Sequence, residues 1–313
     1  DWLVKFPGTT RNLQGSVPSY TTAPVSEWLG SHVYAALGIP VHETVLGIRD
    51  GRIVCACRDF TFPDSRLVNF HDLKNSLSDD EPGFTEDAST GSGVVLADVR
   101  SAIHRIPVLR SIDGVSDRFW DMFVVDAFIR NIDRNNTNWG VLRNPRGEFS
   151  LAPVYDNGNS FNNKRTDSGI ERRLANPDLI RQDALDVRSC YVTDRGKPIA
   201  PLKYLASGQD EECIKALDRF MERYDPRSFH DLLGSIPSMS HGLTVVPDGF
   251  HEYHRRVCDY RYEHAFMEAW RDLHPTVGVP SSPEASVPEP LPDPDPSVLP
   301  SSSVPTCFDG PGM

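Results

Sequence analysis

A short polar stretch near the middle of the 313-residue sequence carries residue types that could do chemistry. Asp133 and Asn138 lie five residues apart directly after an apolar segment, and Asp156 follows beyond a turn-rich stretch at 144–147. In phosphoryl transfer, one carboxylate orients the attacking hydroxyl and accepts its proton. Two further oxygen-bearing side chains suit the Mg²⁺ that screens the phosphates. The stretch therefore predicts a site with one base and two metal ligands.

Neither part of this pattern is specific by itself. Asp and Asn at this spacing occur in many loops, and Asp156-Asn157-Gly158 alone could be an ordinary turn. The order of a long apolar helix, an Asp/Asn loop, a hairpin and an Asp-x-Gly is much more specific. The alternative, a polar loop with side-chain-stabilised turns and no chemistry, stays open at this point.

A lysine lies inside the first apolar segment of the chain. Residues 2–6 are predicted to form a buried strand, in which an unpaired charge on Lys5 would be costly. Glu27 lies early in a predicted helix over 25–37, whose apolar residues recur at three- and four-residue spacing. Kinase folds fix their phosphate-contacting lysine with such a strand–helix pair. The alternative is a lysine at a strand edge with its ammonium in water.

The remaining chain predicts strands first and helices afterwards. Asp50-Gly51 predicts a hairpin between strands at 41–48 and 52–58. Ser116 begins the clearest helical pattern, which leads directly into the Asp133 loop. Further helices are predicted at 66–76, 97–110, 210–223, 226–235 and 250–273, with polar loops at 9–24 and 78–95.

Two lobes and a tail are expected from this order of elements. Residues 1–62 form a strand-rich N-lobe, and residues 63–274 form a helical C-lobe that carries the catalytic hairpin at the junction. Together they make an α+β, bilobal arrangement. Residues 275–313 hold 11 of the 26 prolines, five acids and no Lys or Arg. Such a segment buries too little apolar surface to order itself, so we expect a disordered tail.

Composition and charge argue against several classes of function. The net charge of −12 lacks the positive field that binds phosphate backbones, so no direct nucleic-acid partner is expected. No run of 18 apolar residues is present, so no membrane-spanning helix is expected. The six cysteines include no CxxC pair, which favours reduced thiols and a cytoplasmic location over zinc or disulfides.

Motifs along residues 2–273 resemble the HipA-like serine/threonine kinases, and most closely their CtkA branch. The resemblance is strongest from Phe119 to Asp126, and continues through Asn138-Trp139-Gly140 to Tyr155-Asp156. Further matches in order are Leu3-Val4-Lys5-Phe6-Pro7, Ser26-Glu27, Leu37-Gly38-Ile39, Glu43-Thr44-Val45-Leu46-Gly47 and Asp59-Phe60. The resemblance implies a protein-kinase-like bilobal fold that binds ATP and Mg²⁺.

The resemblance also implies roles for individual residues. Asp133 is implied as the catalytic base, and Asn138 and Asp156 as the Mg²⁺ ligands. Residues 58–60 are implied as the hinge whose backbone reads adenine, although composition alone fits a plain linker equally well. The implied ATP-binding residues are Lys5, Glu27, Arg58, Asp59, Phe60, Asn135, Asn138 and Tyr155.

This sequence departs from the family's pattern at two places. The family commonly carries His two residues after the catalytic Asp, where this chain has Asn135, which hydrogen-bonds a phosphate but carries no charge. The family also has strands and a phosphate-covering loop before the lysine, whereas Lys5 is the fifth residue here. We therefore expect an N-lobe truncated at its start and weak binding of Mg-ATP.

Three functions stay open on these grounds. The resemblance favours an ATP- and Mg²⁺-dependent protein serine/threonine kinase that autophosphorylates, acts on a protein carrying Ser or Thr, and has an antitoxin-like or other protein partner. A lipid kinase is the second, since Arg130 to Arg134, Asn138-Trp139 and Asp156-Asn157-Gly158 also resemble type II phosphatidylinositol 4-kinases. The chain lacks the polybasic face that such an enzyme uses at a membrane. The third is a kinase-fold binding module with weak or no transfer.

Overall fold

The computed structural model describes residues 1–8, 22–78 and 93–275. The predicted tail lies outside the described residues from position 276 onward, as do most of the loops predicted at 9–24 and 78–95. No helix in the described part of the chain is both long and apolar enough to cross a membrane.

The described residues form ten short strands and twelve α-helices. The strands are β1 (Trp2–Lys5), β2 (Thr44–Arg49), β3 (Arg52–Arg58), β4 (Arg66–Asn69), β5 (Val94–Val95), β6 (Gly140–Arg143), β7 (Phe149–Leu151), β8 (Tyr191–Val192), β9 (Met239–Ser240) and β10 (Leu243–Thr244). The helices are α1 (Ala23–Ala36), α2 (Phe70–Ser78), α3 (Leu96–Arg105), α4 (Pro107–Arg110), α5 (Val115–Ile129), α6 (Asp167–Leu174), α7 (Pro177–Leu185), α8 (Pro201–Ser207), α9 (Glu211–Arg223), α10 (Pro226–Gly234), α11 (Phe250–Arg261) and α12 (Met267–Leu273). A π-helical turn (Tyr262–Phe266) joins α11 to α12.

The front of the chain is a three-stranded antiparallel sheet in the order β1-β3-β2. The predicted hairpin is present, because Asp50 and Gly51 join β2 to β3 with φ of 51° and 66°, as a tight two-residue turn requires. Lys5 in β1 lies opposite Cys55 in β3. Helix α1 packs against β2 and β3, which brings its buried Glu27 close to Lys5.

A second antiparallel sheet, in the order β4-β6-β7, holds the polar stretch of the larger lobe. The predicted turn joins β6 to β7, and the Asn144 side chain accepts from the backbone N–H groups of Arg146 and Glu148. The helix predicted over 66–76 was wrong at its start, since 66–69 is strand β4 and α2 begins only at residue 70. The partner β6 lies far along the chain, so local periodicity does not reveal this pairing.

Helix α5 is the centre of the main core. The pattern predicted its start at Ser116, and the helix runs from 115 to 129. Phe119, Trp120 and Phe128 are wholly buried in this core. Arg130 follows the helix with φ of 57°, and the Asn131 N–H then donates to the Asp126 carbonyl at 2.8 Å. The loop that carries Asp133 therefore starts from a fixed point in the core.

The later helices mostly follow the sequence pattern. The helix predicted over 97–110 is broken into α3 and α4, because Pro107 donates no backbone hydrogen bond and disfavours a helical conformation in the residue before it. Ile106 is extended, with φ −68° and ψ 118°. The helices predicted at 210–223, 226–235 and 250–273 are confirmed as α9, α10 and the run from α11 to α12. The short helices α6, α7 and α8 had not been predicted.

The described residues thus form a small sheet with one helix in front and a larger helical body behind. This is the bilobal α+β arrangement that the sequence predicted. The lobe boundary between residues 62 and 63 stays a prediction.

Candidate active site

Lys5 links the front sheet to the polar stretch of the larger lobe. Its Nζ lies 2.8 Å from Glu27 Oε2 and 2.6 Å from Asp156 Oδ1. The Glu27 side chain is fully buried, whereas the Asp156 side chain keeps 42% of its exposure. The expected pairing of Lys5 with Glu27 is present, and Asp156 is a second partner.

Burial and charge act in opposite directions on this ion pair. Burial alone would lower the pKa of Lys5, but the carboxylates of Glu27 and Asp156 outweigh it and raise that pKa. Burial alone would raise the pKa of Glu27, but a hydrogen bond from His42 and the charge of Lys5 lower it to about 2. Lys5 and Glu27 are therefore both charged at neutral pH, as a lysine that contacts phosphates requires.

Asp133 is held by neutral hydrogen-bond donors. Its backbone N–H donates to Asn131 Oδ1 at 3.1 Å, which fixes the turn after α5. Its carboxylate accepts from two amides, Asn135 Nδ2 at 2.9 Å on Oδ1 and Asn159 Nδ2 at 2.8 Å on Oδ2. Neutral amides orient a carboxylate without cancelling its charge, which suits a group that accepts a proton.

The asparagines of the loop are anchored by bonds within the loop itself. Asn135 Oδ1 accepts from the backbone N–H and the hydroxyl of Thr137, at 2.9 and 2.6 Å. Asn138 Nδ2 donates to the Asp133 carbonyl at 2.7 Å. Because the Asn138 nitrogen is fixed by this bond, its Oδ1 is the atom left to ligate a cation, with the Thr137 hydroxyl at 3.3 Å.

Asn138 and Asp156 fit the ligand set that Mg²⁺ prefers. Each can offer oxygen to a cation, and oxygen is the ligand type of this hard ion. The backbone of Asp156 has φ of 61°, a conformation that is uncommon for a residue other than glycine. Such backbone strain concentrates at functional sites, where surrounding contacts hold it in place.

Arg134 joins the Asp133 loop to the Asp156 loop. Its buried guanidinium donates from Nε to Asp126 Oδ2 at 2.8 Å and from Nη2 to Asn157 Oδ1 at 2.5 Å. Its Nη1 donates to the carbonyls of Asn138 and Tyr155. Burial alone would lower the pKa of Arg134, but Asp126 outweighs it and raises the pKa well above its ordinary value. The permanent charge thus fixes the two loops against each other.

Helix α1 approaches the Asp156 loop more closely than larger residues would allow. A Cβ added at Gly30 would lie 2.8 Å from Asn157 Cβ, and one added at Gly158 would lie 3.1 Å from Glu27 Oε2. The Asn157 N–H donates to Glu27 Oε1 at 3.1 Å. These two glycines therefore permit the contact that joins Glu27 to the loop of Asp156.

The first two residues of the predicted hinge, Arg58 and Asp59, are bonded to other residues of the front lobe. The Arg58 guanidinium pairs with Glu43 at 2.8 Å and keeps 63% of its side-chain exposure. The Asp59 N–H donates to the Asp1 carbonyl at 2.9 Å. The structure therefore places the Arg58 side chain at the surface, and not with the Lys5–Asp156 group.

Phe60 and Tyr155 form an aromatic wall beside Asp156. Their ring centroids are 5.5 Å apart. The Tyr155 hydroxyl lies 2.9 Å from the Thr137 carbonyl, which ties the ring to the Asp133 loop. Two aromatic faces at the junction of the sheet with the larger lobe suit the binding of a planar base.

Sequence reasoning did not single out three residues of this site: His42, Arg134 and Asn159. Asn159 lies three positions after Asp156 in a polar run, which is the one local signal that could have indicated it. Arg134 resembles a solvated loop residue, and His42 lies in a short stretch before β2. The partners of His42 and Arg134 include residues distant in sequence, so periodicity and spacing carry no sign of them.

Comparison with proteins of known function identifies the family. The chain is 33% identical to the serine/threonine-protein kinase CtkA of Helicobacter pylori over 241 residues, which is 76% of this chain and 71% of that protein. This chain belongs to the CtkA family of serine/threonine-protein kinases. A crystal structure of the H. pylori CtkA, described as a proinflammatory kinase, matches with a TM-score of 0.74 and 28% identity, over 88% of this chain and 92% of that one.

A second solved structure shows the wider fold of this CtkA-family kinase. HipA from Shewanella oneidensis MR-1, solved with HipB and its operator DNA, matches with a TM-score of 0.51 and 13% identity, over 86% of this chain and 60% of that one. No protein-family model matches the chain. The HipA-like bilobal fold and the serine/threonine-kinase class expected from the sequence are therefore confirmed.

Proposed function

We propose that this CtkA-family kinase transfers phosphate from ATP to Ser or Thr hydroxyls of a protein, with Mg²⁺. Asp133 orients the attacking hydroxyl and accepts its proton, a role supported by the two amides that hold its carboxylate. Lys5, fixed by Glu27, contacts the phosphates. Asn138 and Asp156 would hold the metal, which would supply positive charge that screens the phosphates.

The aromatic wall of Phe60 and Tyr155 is proposed to face the adenine. Residues 58–60 read the base through backbone groups other than the Arg58 and Asp59 N–H groups, which already donate to the Glu43 and Asp1 carbonyls. The side chain of Arg58 has no part in it. Asn135 borders the nucleotide, but its amide is used by Asp133 and Thr137. We therefore assign Asn135 chiefly to holding Asp133.

One observation carries the assignment of these roles. A continuous path of hydrogen bonds joins the proposed phosphate-contacting lysine to the proposed base. The path runs through Lys5, Glu27, Asn157, Arg134, Asn138 and Asp133. A polar loop without chemistry gives no reason for a partly buried lysine–glutamate pair and a buried arginine to belong to one hydrogen-bonded network.

A protein is the proposed substrate. A cavity of about 800 Å³ opens between the two lobes, lined by Pro7 and Arg52 of the front and by 165–168 and 243–247 of the body. Lys5, Asp133 and Asp156 do not line this cavity, so the substrate class rests on the match to a protein kinase. Autophosphorylation at Ser or Thr is part of the proposal, as is an antitoxin-like or other protein partner. The match to a protein kinase favours this reading over a lipid kinase.

The experiment is incubation of the chain with labelled ATP and Mg²⁺, followed by mass spectrometry to locate label on Ser or Thr. Asp133→Asn serves as the inactive control, and a generic acceptor protein tests transfer to another chain. Label that appears on the chain or acceptor only with intact Asp133 supports the proposal. Label that is unchanged in Asp133→Asn contradicts the assigned base, and nucleotide binding with no label on either protein supports the binding-module alternative.

A further inference from the structure

A buried histidine contacts Glu27 at the carboxylate oxygen that does not bind Lys5. His42 keeps 4% of its side-chain exposure, and its Nε2 lies 2.9 Å from Glu27 Oε1 and 3.2 Å from Ser31 Oγ. Because Glu27 is ionised, with its pKa lowered to about 2, Nε2 carries a proton and donates it in the hydrogen bond to Oε1. The imidazole therefore supplies a donor to a buried carboxylate.

The backbone of His42 is tied to the segment that leads into Asp156. The His42 N–H donates to the Val154 carbonyl at 2.9 Å, and Val41 and Val154 form a parallel bridge. Asp156 follows Val154 by two positions. His42 thus joins the carboxylate of Glu27 on α1 to the strand-like stretch before the proposed metal ligand.

Each oxygen of Glu27 then has a defined set of donors. Oε2 accepts from Lys5, and Oε1 accepts from His42 and from the Asn157 N–H. A carboxylate with donors on both oxygens cannot rotate without breaking hydrogen bonds in a buried site, which is costly. The position of Lys5 depends on where Oε2 lies, so it depends on the donors to Oε1.

We propose that His42 is a positioning residue for the kinase reaction, which fixes the Glu27 carboxylate and, through it, the Lys5 ammonium. The inference rests on the roles proposed above for Lys5 and Glu27. His42 itself contacts neither the nucleotide nor the substrate. Its loss should lower kcat/KM for Mg-ATP because Lys5 is then less well placed toward the phosphates.

A metal centre is the competing explanation for this group of residues. Glu27, His42 and Cys57 each offer one ligand atom, all within 4.8 Å of one another and all buried. A cation there would share the Glu27 carboxylate with the Lys5 ammonium, which lies 2.8 Å from Oε2, and with the donors to Oε1. Two positive charges on one buried carboxylate repel each other strongly, so the group is a hydrogen-bonded one.

The test compares His42→Leu with His42→Gln. Leucine removes the donor but keeps an apolar side chain in the buried site, whereas the Gln amide nitrogen restores a donor near the position of Nε2. We expect His42→Leu to lower kcat/KM for Mg-ATP by about 10-fold to 100-fold, and His42→Gln to recover most of it. His32→Leu is the matched control: His32 is half-buried on α1, its Nδ1 hydrogen-bonds the Trp28 carbonyl, and its substitution should leave kcat/KM within about twofold.

A thermodynamic cycle separates positioning from a loss of folding. Melting midpoints are measured for every variant, and Mg-ATP affinity is measured by calorimetry in the wild-type and Glu27→Gln backgrounds. We expect His42→Leu to weaken affinity in the wild type and to add little in Glu27→Gln, because the pair acts as a unit. The inference is overturned if the losses of Mg-ATP affinity from His42→Leu and Glu27→Gln are fully additive in the double variant. It is also overturned if His42→Leu has wild-type kinetics.

Two further outcomes separate a failure of the inference about His42 from a failure of the role proposed for Lys5. If Lys5→Met keeps full activity, the proposed role of Lys5 fails and the inference about His42 fails with it. If Lys5→Met is inactive while His42→Leu matches the wild type, only the inference about His42 fails. Metal analysis of the purified chain completes the test, since one zinc per chain that is lost in His42→Leu would establish the metal centre instead.

Discussion

The ammonium of Lys5 and the carboxylate of Asp156 are joined by a contact of 2.6 Å between Nζ and Oδ1. The proposed phosphate-contacting lysine and the proposed metal ligand therefore interact directly, although 151 positions separate them. Lys5 and Mg²⁺ are both positive, so they compete for the same carboxylate. Binding of the metal to Asp156 should release Lys5 toward the phosphates, while Glu27 keeps its ammonium in place.

Asp133→Asn should abolish phosphate transfer and leave the fold intact. The amide keeps the shape of the side chain but removes the base and its charge, which should lower kcat by on the order of 10²-fold or more. Radiolabel transfer and the melting midpoint are measured together. The exposed Asp194→Asn is the matched control and should transfer at the wild-type rate. Near-wild-type phosphate transfer in Asp133→Asn would contradict the assignment of Asp133 as the base.

Asp156→Ala should lose the Mg²⁺-dependent part of nucleotide affinity. Loss of a metal ligand's outer hydrogen-bond partner already costs about 10-fold to 100-fold in metal affinity, so loss of the ligand itself should cost at least about tenfold. Calorimetric titration of ATP with and without Mg²⁺ measures this difference. Asp194→Ala is again the control. Equal Mg²⁺ dependence in Asp156→Ala and the wild type contradicts the role of Asp156 as a ligand.

Asn159→Ala should slow transfer with little change in stability. The substitution removes the 2.8 Å hydrogen bond to Asp133 Oδ2 and leaves only Asn135 to hold the carboxylate. The loss of one charge-assisted bond predicts a fall in kcat of about tenfold. Asn159→Asp should fall further, because it places a second negative charge beside Asp133.

Steady-state kinetics check the prediction for Asn159, with kcat and KM for ATP measured separately. Asn144→Ala in the β6–β7 turn is the control, since it removes an Asn of another loop whose bonds stay within the hairpin. Equal kcat for Asn159→Ala and the wild type shows that Asn135 alone is enough to orient Asp133.

The sequence predicted those features that local pattern encodes. The periodicity of Phe119, Trp120 and Phe128 indicated helix α5, and Asp50-Gly51 indicated the hairpin that places β3. The strand at 66–69 was missed because four residues carry too little pattern, and its stability comes from pairing with β6. Pro107 could have indicated the break between α3 and α4, but the helical pattern around it led to the prediction of one continuous helix.

The same division holds for the candidate site. Spacing indicated Asp133, Asn138 and Asp156 as candidates, because only one loop and one hairpin separate them in the sequence. His42 and Arg134 could not be indicated in this way. Each acts through contacts between distant segments, which exist only once the lobes and the core are formed. Burial of these polar groups, and not their position in the sequence, is what marks them.

Gly140→Ala should destabilise the hairpin that carries the site. A Cβ at Gly140 would lie 2.2 Å from the Val68 carbonyl and 2.9 Å from Asn69 Cα, so β4 and β6 would have to separate. Overpacking of this kind costs roughly 1–3 kcal/mol, which lowers the melting midpoint by several degrees. Gly47→Ala is the matched control, because nothing lies within 4 Å of its added Cβ. Equal melting midpoints for the two variants contradict the close packing.

Glu27 should make folding stability depend on pH in an acidic window. Its pKa is lowered from 4.5 to about 2, since the hydrogen bond from His42 and the charge of Lys5 outweigh its burial. A group whose pKa is lowered on folding stabilises the fold above its unfolded pKa, and this contribution is lost as the pH falls toward the folded pKa. The lowered pKa contributes on the order of 3 kcal/mol to the free energy of unfolding. This contribution is fully present above about pH 5 and is lost progressively between about pH 4.5 and pH 2.

The measurement is the free energy of unfolding by urea at pH 7, 5, 4 and 3 for the wild type and Glu27→Gln. The gap between the two proteins should be largest at pH 7 and pH 5. It should shrink as the pH falls below 4.5, because Glu27 then binds a proton in the unfolded state but not in the folded state, where its pKa is about 2. Glu211→Gln is the control: Glu211 also has a lowered pKa, through Lys215, but it is fully exposed and water screens the pair. Its substitution should change the free energy of unfolding little at any pH. A gap between the wild type and Glu27→Gln that stays constant from pH 7 to pH 3 would show that Glu27 stabilises the fold by packing and not by its charge.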